Sequence, residues 1–217
     1  MKVLGLLAGG MLIASAAMSS PAAATNLVFN GGFEAGFGGS GSFSGWSREG
    51  DLRFLQVEGS SGVTSPFEGE NMAAFGARGA AASFGEALEP NILSQSVSVS
   101  AGQAYRVRFS AAASGPFGQA DFFSASINGK KLDANVLQSL SAQVSAGQWT
   151  THTFEWLADT SSADLRFEAV NSNGFFYLDS ISISAVPEPS SWLMLIGGFA
   201  SVGSVARARR RPKRFAR

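Results

Sequence analysis

The sequence predicts an antiparallel β-sandwich between two terminal segments that do not belong to the fold. Three observations support this prediction: short runs that alternate apolar and polar residues, turn residues between those runs, and a composition rich in glycine, serine, alanine and phenylalanine. We place the sandwich at residues 25–185 and the terminal segments at residues 1–24 and 186–217. The central part is long enough for one domain with its own hydrophobic core.

The N-terminal segment predicts export. Lys2 precedes a stretch of apolar and small residues at positions 3–18, and Ala22 and Ala24 form a small-residue cleavage site. We therefore expect a signal peptide over residues 1–24 and a mature chain that begins at Thr25. The alternative is an N-terminal membrane anchor that is not cleaved, and the central part is exported in either case.

Six alternating runs in the central part predict strands with one buried face. They lie at residues 93–99, 105–111, 122–128, 149–156, 163–169 and 177–183. Asn128 followed by Gly129 predicts a tight hairpin after the third run. Six to nine short strands in one domain predict an antiparallel sandwich, while residues 132–146 fit either a short helix or a long connecting loop. Because side chains alternate along a strand, Trp149 and Trp156 should face opposite ways.

The charge distribution separates the central part from the tail. Residues 25–185 contain fifteen Asp and Glu but eight Lys and Arg, and the chain has no cysteine. An acidic body argues against nucleic acid as a partner and suits the binding of divalent cations. Disulfides and thiolate metal sites are excluded, so the exported domain depends on its core and on any ion that it binds.

The C-terminal segment has the order of a membrane-sorting address. Pro187, Glu188, Pro189 and Trp192 precede a short apolar run, which we place at about 191–206, and a basic tail at 207–217. As a helix the run spans roughly 24 Å, slightly less than the ~30 Å hydrocarbon core of a bilayer. The arginines favour a cytoplasmic C-terminus, and the prolines keep the preceding stretch extended. The alternatives are a buried amphipathic helix or a basic nucleic-acid arm.

This segment resembles the PEPxxW variant of the PEP-CTERM sorting signal of Gram-negative bacteria, with Leu193 where the variant has Ala. The resemblance implies transient insertion into the inner membrane as a single transmembrane helix and cleavage by an exosortase-type membrane protease. It also implies delivery to the cell surface, the outer membrane or an exopolysaccharide or biofilm matrix. Such segments also carry a label that refers to ice-binding proteins, but the sparse threonines do not predict an ice-binding surface.

A second resemblance covers residues 26–185 and concerns galactose-binding-like jelly rolls, the fold of many carbohydrate-binding modules. It is carried by residues 26–34, Gly45 with Trp46, and residues 67–73, 93–99, 102–109 and 178–183. The resemblance implies a jelly-roll sandwich whose first and last strands are adjacent and are often bridged by a structural Ca²⁺. By position, Glu34 and Asp179 would supply the carboxylates and carbonyls around Asn30 the remaining oxygens. The alternative is that Glu34 caps the first turn and Asp179 bonds a neighbouring backbone amide.

Four aromatic residues are candidates for ligand binding: Trp46, Phe175, Phe176 and Tyr177. A sugar packs its C–H face on an aromatic ring while nearby polar groups fix its hydroxyls. The loops near Trp46 and at positions 173–176 fit the presentation of such rings. Core packing is the alternative for each of them.

The sequence does not predict an enzyme. Its one histidine, His152, is interpreted as a surface residue of a strand, and neither a cysteine nor a G-x-S-x-G nucleophile motif is present. The glycine-rich residues 36–45 lack the lysine of a phosphate loop and predict a surface loop. We therefore expect a non-catalytic domain that binds extracellular polysaccharide. The alternatives are a structural or adhesive matrix protein without a sugar site and a secreted glycoside hydrolase.

Overall fold

A computed structural model describes residues 25–36, 41–76, 89–115, 121–132 and 147–186. Several predicted features lie outside these residues: the signal peptide with Ala22 and Ala24, the sorting residues Pro187, Glu188, Pro189 and Trp192, the apolar run and basic tail, and residues 133–146. Within the described ranges, no helix has the length and apolar character needed to cross a membrane.

The described part of the chain contains ten strands and one short 3₁₀ helix at Leu52–Phe54. The strands are β1 (Ser47–Glu49), β2 (Leu55–Glu58), β3 (Met72–Gly76), β4 (Asn91–Ser98), β5 (Ala104–Ser114), β6 (Phe122–Ile127), β7 (Lys130–Lys131), β8 (Thr150–Leu157), β9 (Ser162–Val170) and β10 (Phe175–Ala185). They form two five-stranded sheets, in the order β1-β4-β9-β6-β7 for sheet A and β2-β3-β10-β5-β8 for sheet B. Every strand pair is antiparallel.

The two sheets confirm the predicted all-β sandwich. The six alternating runs correspond to β4, β5, β6, β8, β9 and β10. The structure has more strands than the predicted six to nine, because β1, β3 and β7 do not alternate apolar and polar residues and β2 alternates over only four residues. All residues of β3 are buried and all residues of β1 are exposed, so neither strand shows the period of two by which a half-buried strand is recognised.

The core lies between the sheets and is unusually aromatic. The ring of Phe167, on β9, lies 5.1 Å from that of Phe109 and 6.2 Å from the rings of Trp46 and Phe123. Trp156 is buried on the inner face of β8, whereas Trp149 packs on the outer side of sheet B. The prediction that these two tryptophans face opposite ways is therefore confirmed.

One local prediction about chain connections, the hairpin, is also confirmed, whereas the first strand expected beside the last is a segment without strand assignment. Asn128 and Gly129 join β6 to β7 with φ values of 48° and 72°, the left-handed conformation that a tight hairpin requires. The N-terminal segment lies beside β10, with the Leu27 amide donating to the Ile183 carbonyl at 2.8 Å and the Ile181 amide donating to the Gly31 carbonyl at 2.9 Å. A Cβ atom at Gly31 would collide with the Ile181 carbonyl, so this close approach requires glycine.

The central position of Phe167 leads to a prediction about stability. Phe167→Ala in a fragment of residues 25–186 should lower the free energy of unfolding by about 3–5 kcal/mol, because it removes a fully buried ring and leaves a cavity between the sheets. Leu157→Ala is the matched control, since that side chain is 65% exposed. Urea unfolding of both variants is the measurement, and equal midpoints would contradict the assignment of Phe167 to the core.

Candidate functional site

A bulge in β10 places Asp179 and Ser180 against the loop at residues 67–71 on the outer face of sheet B. The register between β10 and β5 shifts between Asp179 and Ser182, and Ser180 takes a φ of 54°. A bulge of this kind bends a strand and redirects its side chains. Here it leaves Asp179 fully buried and allows the Ser180 hydroxyl to donate to the Glu68 carboxylate at 2.6 Å.

Two carboxylates from distant parts of the chain hold the loop at residues 67–71 against this bulge. The Glu34 carboxylate accepts hydrogen bonds from the Glu70 amide at 2.7 Å and from the Asn71 amide at 2.9 Å, and its second oxygen accepts from the Asn71 side chain at 2.6 Å. Asp179 accepts from the Glu68 amide at 3.0 Å and from the Ser180 amide at 2.6 Å. The loop is thus fixed by charge-assisted hydrogen bonds at both ends.

Gly69 allows the loop to approach Glu34 closely. Its φ is 71°, and a Cβ atom at this position would overlap the Glu34 carboxylate. Glycine is therefore required here for both conformation and space. This requirement explains the glycine of the 67–73 motif.

The surroundings shift the pKa values of the two carboxylates in opposite directions. Burial raises the pKa of Asp179 to about 6, and the charge of Glu34 adds to this effect, although amides at Glu68 and Ser180 act in the other direction. Partial burial also acts to raise the pKa of Glu34, but the hydrogen bonds from Asn71 and Glu70 outweigh it and lower that pKa. An exposed carboxylate therefore lies next to a buried one that resists ionisation.

A surface cleft of about 550 Å³ opens beside the bulge. Its walls include Phe67 and Glu68 from the 67–71 loop, Glu34, Ser180, and Arg108 from β5. Phe67 is 41% exposed, and its ring packs against Trp149 with the centroids 5.8 Å apart and the planes at 65°. The Trp149 indole nitrogen donates to the Ser65 carbonyl at 2.9 Å, which fixes the ring that supports Phe67.

The structure places the four predicted ligand-binding aromatics away from this cleft. Trp46 is 8% exposed, and its indole nitrogen donates to the Asn30 carbonyl at 3.0 Å, so its ring is part of the core. Phe176 is a fully buried core residue on the inner face of β10. Phe175 and Tyr177 lie on the outer face, but Phe175 is half-buried and Tyr177 is buried under the 61–65 loop. Phe175, Phe176 and Tyr177 belong to β10, which begins at Phe175, and they therefore do not lie in the expected loop.

The predicted calcium ligands are only partly brought together. Glu34 and Asp179 both contact the 67–71 loop. Asp179 accepts hydrogen bonds from the amides of Glu68 and of the neighbouring Ser180, as the alternative expects. Glu34 accepts from the amides of Glu70 and Asn71, which belong to a distant loop rather than to the first turn. Asn30 has a φ of 52° and builds the preceding turn: its side-chain oxygen accepts from the Ala35 amide, and its carbonyl accepts from the Phe33 amide and from Trp46. Among the residues that the structure describes, no group of three or more His, Asp or Glu side chains is placed to hold a metal ion.

The surroundings of Asp179 are of a kind that a cation would relieve, because burial and the neighbouring Glu34 carboxylate both oppose its ionisation. Glu34 is exposed to the cleft, which provides access from solvent.

No sequence pattern singles out Phe67, Glu68 and Arg108, the aromatic and charged residues of the cleft. Phe67 and Glu68 lie within the 67–73 motif, and the alternation of β5 places Arg108 on the polar face, but neither signal indicates a ligand site. His152, expected at the surface, is instead buried, with its ring stacked on Phe109 at 5.1 Å. His152 lies on the inner face of β8, where its planar imidazole ring stacks on the ring of Phe109 in the paired strand.

The fold is that of a jelly-roll carbohydrate-binding module. The chain is similar to TmCBM61, a structure solved in complex with β-1,4-galactotriose, with 16% identity, a TM-score of 0.53, and coverage of 75% of this chain and 99% of that one. The CBM22-1 xylan-binding domain from Paenibacillus barcinonensis Xyn10C gives 16% identity, a TM-score of 0.45, and coverage of 78% and 99%. The K1 cleaved adhesin domain of Lys-gingipain from Porphyromonas gingivalis W83 gives 14% identity, a TM-score of 0.48, and coverage of 72% and 96%.

Residues 185–211 match the model of the PEP-CTERM protein-sorting motif. The protein therefore carries a PEP-CTERM sorting signal after a domain with the fold of a carbohydrate-binding module. The motif implies exosortase processing and secretion with membrane-anchored sorting in a Gram-negative bacterium. No curated protein matches the chain.

The raised pKa of Asp179 predicts how the stability of the metal-free domain depends on pH. Between pH 4 and about 6 the folded state keeps a proton on Asp179 that the unfolded state releases, so the unfolding free energy falls as the pH rises through this window. The loss should be on the order of 2 kcal/mol. Urea unfolding in EDTA at pH 4 and pH 7 measures it, and Asp179→Asn should lack this component.

Asp164→Asn, at an exposed position on sheet A, is the matched control for removing one carboxylate. If Asp179→Asn and the parent show the same difference between pH 4 and pH 7, the buried carboxylate does not titrate as described.

Proposed function

We propose that the sandwich is a non-catalytic carbohydrate-binding module, which the sorting signal delivers to the cell surface or to an extracellular polysaccharide matrix. The observation that carries this proposal is the cleft beside the β10 bulge, where an exposed aromatic ring lies among charged side chains. Clefts that combine an apolar platform with a few fixed polar groups are typical of ligand sites.

Phe67 is the proposed platform for a sugar ring. Its exposed face can pack on the C–H groups of a pyranose, while Trp149 holds it edge to face from the other side. Arg108 and Glu68 line the same cleft and supply a donor and an acceptor for hydroxyl groups. The site thus has the three kinds of group that recognise a neutral polysaccharide.

The platform is held in position before a ligand binds. Glu34 and Asp179 fix the main chain on both sides of Gly69, and Ser180 fixes the Glu68 carboxylate. A loop that is already ordered loses little conformational entropy on binding, which favours affinity at a shallow site. This gives the pair of carboxylates a role in binding even though the buried Asp179 does not face the ligand.

The same hydrogen bonds support a binding role rather than hydrolysis. Glycoside hydrolysis needs one carboxyl group that donates a proton and a second that acts as base or nucleophile on the other side of the bond. Around this cleft, Asp179 is fully buried, and Glu34 and Glu68 accept hydrogen bonds that hold the loop and the bulge. Each carboxylate thus has a structural task.

The proposal predicts that polysaccharide binding depends on Phe67. Purified residues 25–186 should bind at least one polysaccharide class saturably on an array that includes β-1,4-galactan, xylan and bacterial exopolysaccharides. Phe67→Ala should weaken that binding by about fivefold or more, since truncating an aromatic anchor at a binding site costs roughly 1 kcal/mol or more. Phe29→Ala is the matched control, because Phe29 is 59% exposed but contacts Gln95 of sheet A.

Three results would overturn the proposal. Saturable binding that is equal in the parent and Phe67→Ala would remove the cleft as the site. The absence of binding to every polysaccharide, together with self-association of the domain, would favour the structural or adhesive alternative. Release of reducing ends from any polysaccharide on the array would favour the hydrolase alternative.

We also propose that Glu34 and Asp179 hold a structural Ca²⁺, which would neutralise the carboxylate pair and strengthen the attachment of the 67–71 loop. Carboxylate oxygens are the preferred ligands of this ion. Glu34 offers the exposed oxygens and Asp179 the buried ones. Asn30 would act indirectly, by shaping the turn that carries Glu34.

This second proposal predicts that calcium stabilises the domain. At a calcium concentration of about 100 times Kd, the unfolding free energy should rise by about 2.7 kcal/mol relative to EDTA. Glu34→Gln should remove this gain, whereas Glu49→Gln, with a 59% exposed side chain on sheet A, should keep it. Thermal unfolding with calcium and with EDTA is the measurement, and an unchanged melting temperature in the parent would contradict a calcium site.

A further inference from the structure

Both ends of the described chain lie at one end of the sandwich. Thr25 and Ala185 line the same small surface depression, together with Ser98 and Tyr105. The turns of neighbouring strands meet there: the Val99 amide donates to the Ser161 carbonyl, and the Asn128 side chain donates to the Thr160 hydroxyl. We call this end the base and define it as residues 25–27, 98–103, 128–131, 157–161 and 184–186.

The fold continues directly into the sorting motif. The match to the motif begins at residue 185, which is also the last residue of β10. The Val186 amide donates to the Ala104 carbonyl at 2.8 Å, and the Gln103 side chain donates to the Val186 carbonyl at 2.9 Å. The sandwich therefore holds the chain up to the residue before Pro187, and no spacer separates the fold from the motif.

The length of the tether limits the space between the base and the membrane. Five residues lead from Val186 to position 191, where the predicted apolar run begins, and they span at most about 18 Å when fully extended. A small protein domain is about 30 Å across. Because the tether is shorter than a domain is wide, a protease that acts on the residues around Pro187 at the membrane surface should contact the base.

The surface of the base is suited to a polar protein contact. Lys130 and Lys131 are exposed there, and Lys130 is paired with Asp159 at 2.8 Å. The surrounding turns contribute mainly Ser, Gln, Asn and Thr side chains. In a body in which acidic residues outnumber basic ones by fifteen to eight, the base thus has two lysines but only one carboxylate.

We propose that the base is a docking surface for the membrane protease that processes the sorting signal, so that this enzyme recognises the folded domain together with the motif. The inference rests on the sorting motif and the chain ends, and it is independent of carbohydrate binding. The competing route is that the last residues of β10 detach from Ala104 and Gln103 and give the enzyme a longer flexible substrate. The two routes respond in opposite ways to a spacer.

The test is a flexible ten-residue Gly-Ser spacer between Val186 and Pro187 in the full-length protein, expressed in a bacterium that processes PEP-CTERM proteins. The spacer lengthens the tether from five to fifteen residues, which should lower the effective concentration of the base at the enzyme by about fivefold. The processed fraction, measured by the mass shift of the chain on immunoblots at early times, should fall accordingly. An unchanged or higher fraction would overturn the proposal, because a detached strand end would benefit from the spacer.

A charge reversal tests the surface itself. Lys131→Glu should lower the processed fraction about twofold to tenfold without a spacer. It should have little effect when the spacer is present, since the base no longer docks. Arg53→Glu is the matched control at the opposite end of the sandwich, near Gly76 at the end of β3. An equal loss with Lys131→Glu in the spacer variant would overturn docking on the protease and favour contact of the lysines with the membrane surface.

Thermal unfolding of the domain shows whether a change in processing comes from a loss of folding. Thermal unfolding of Lys131→Glu and Arg53→Glu as residues 25–186 should give the parental melting temperature, because both side chains are exposed. Loss of glycan binding in Phe67→Ala should leave the processed fraction unchanged. A fall in processing with Phe67→Ala would contradict the assignment of the base as the docking surface.

Discussion

The central position of β10 in sheet B is the constraint on which the rest of the molecule depends. This strand lies between β3 and β5, receives the N-terminal segment along its second half, and carries the bulge that buries Asp179. Its inner face supplies apolar side chains to the core, and its outer face supports the 67–71 loop. The fold, the cleft and the presentation of the sorting motif therefore share one element.

Burial of Asp179 costs free energy, because it opposes the ionisation of the carboxyl group. What it achieves is long-range attachment: Asp179 and Glu34 join the first segment of the chain, the 67–71 loop and the last strand. A loop attached only by side-chain packing would be free to move, because it contains Gly69 and has few apolar contacts. The free-energy cost of burying Asp179 thus accompanies a fixed position of the 67–71 loop, which forms one wall of the cleft. A cation would reduce that free-energy cost.

The core explains how an exported domain without cysteine remains folded. Sheet-on-sheet packing places six fully or almost fully buried phenylalanines in the core between the layers, namely Phe33, Phe75, Phe109, Phe123, Phe167 and Phe176. Edge-to-face and tilted ring contacts connect them across the sandwich. Large rings bury much apolar area for each residue ordered, which suits a chain rich in glycine and serine, whose side chains bury little.

The sequence by itself determined the strands that alternate, the hairpin at Asn128, and the sorting motif, because each depends on local periodicity or on a contiguous pattern. It also indicated that Glu34, the 67–73 motif and Asp179 belong to one fold. Only the tertiary structure decided which aromatic rings are exposed. Trp46, Phe176 and Tyr177 are buried and Phe67 is not, because exposure depends on which loop covers which face of a sheet. The fully buried β3 and the proximity of Thr25 to Ala185 at the base were likewise set by contacts between residues far apart in the chain.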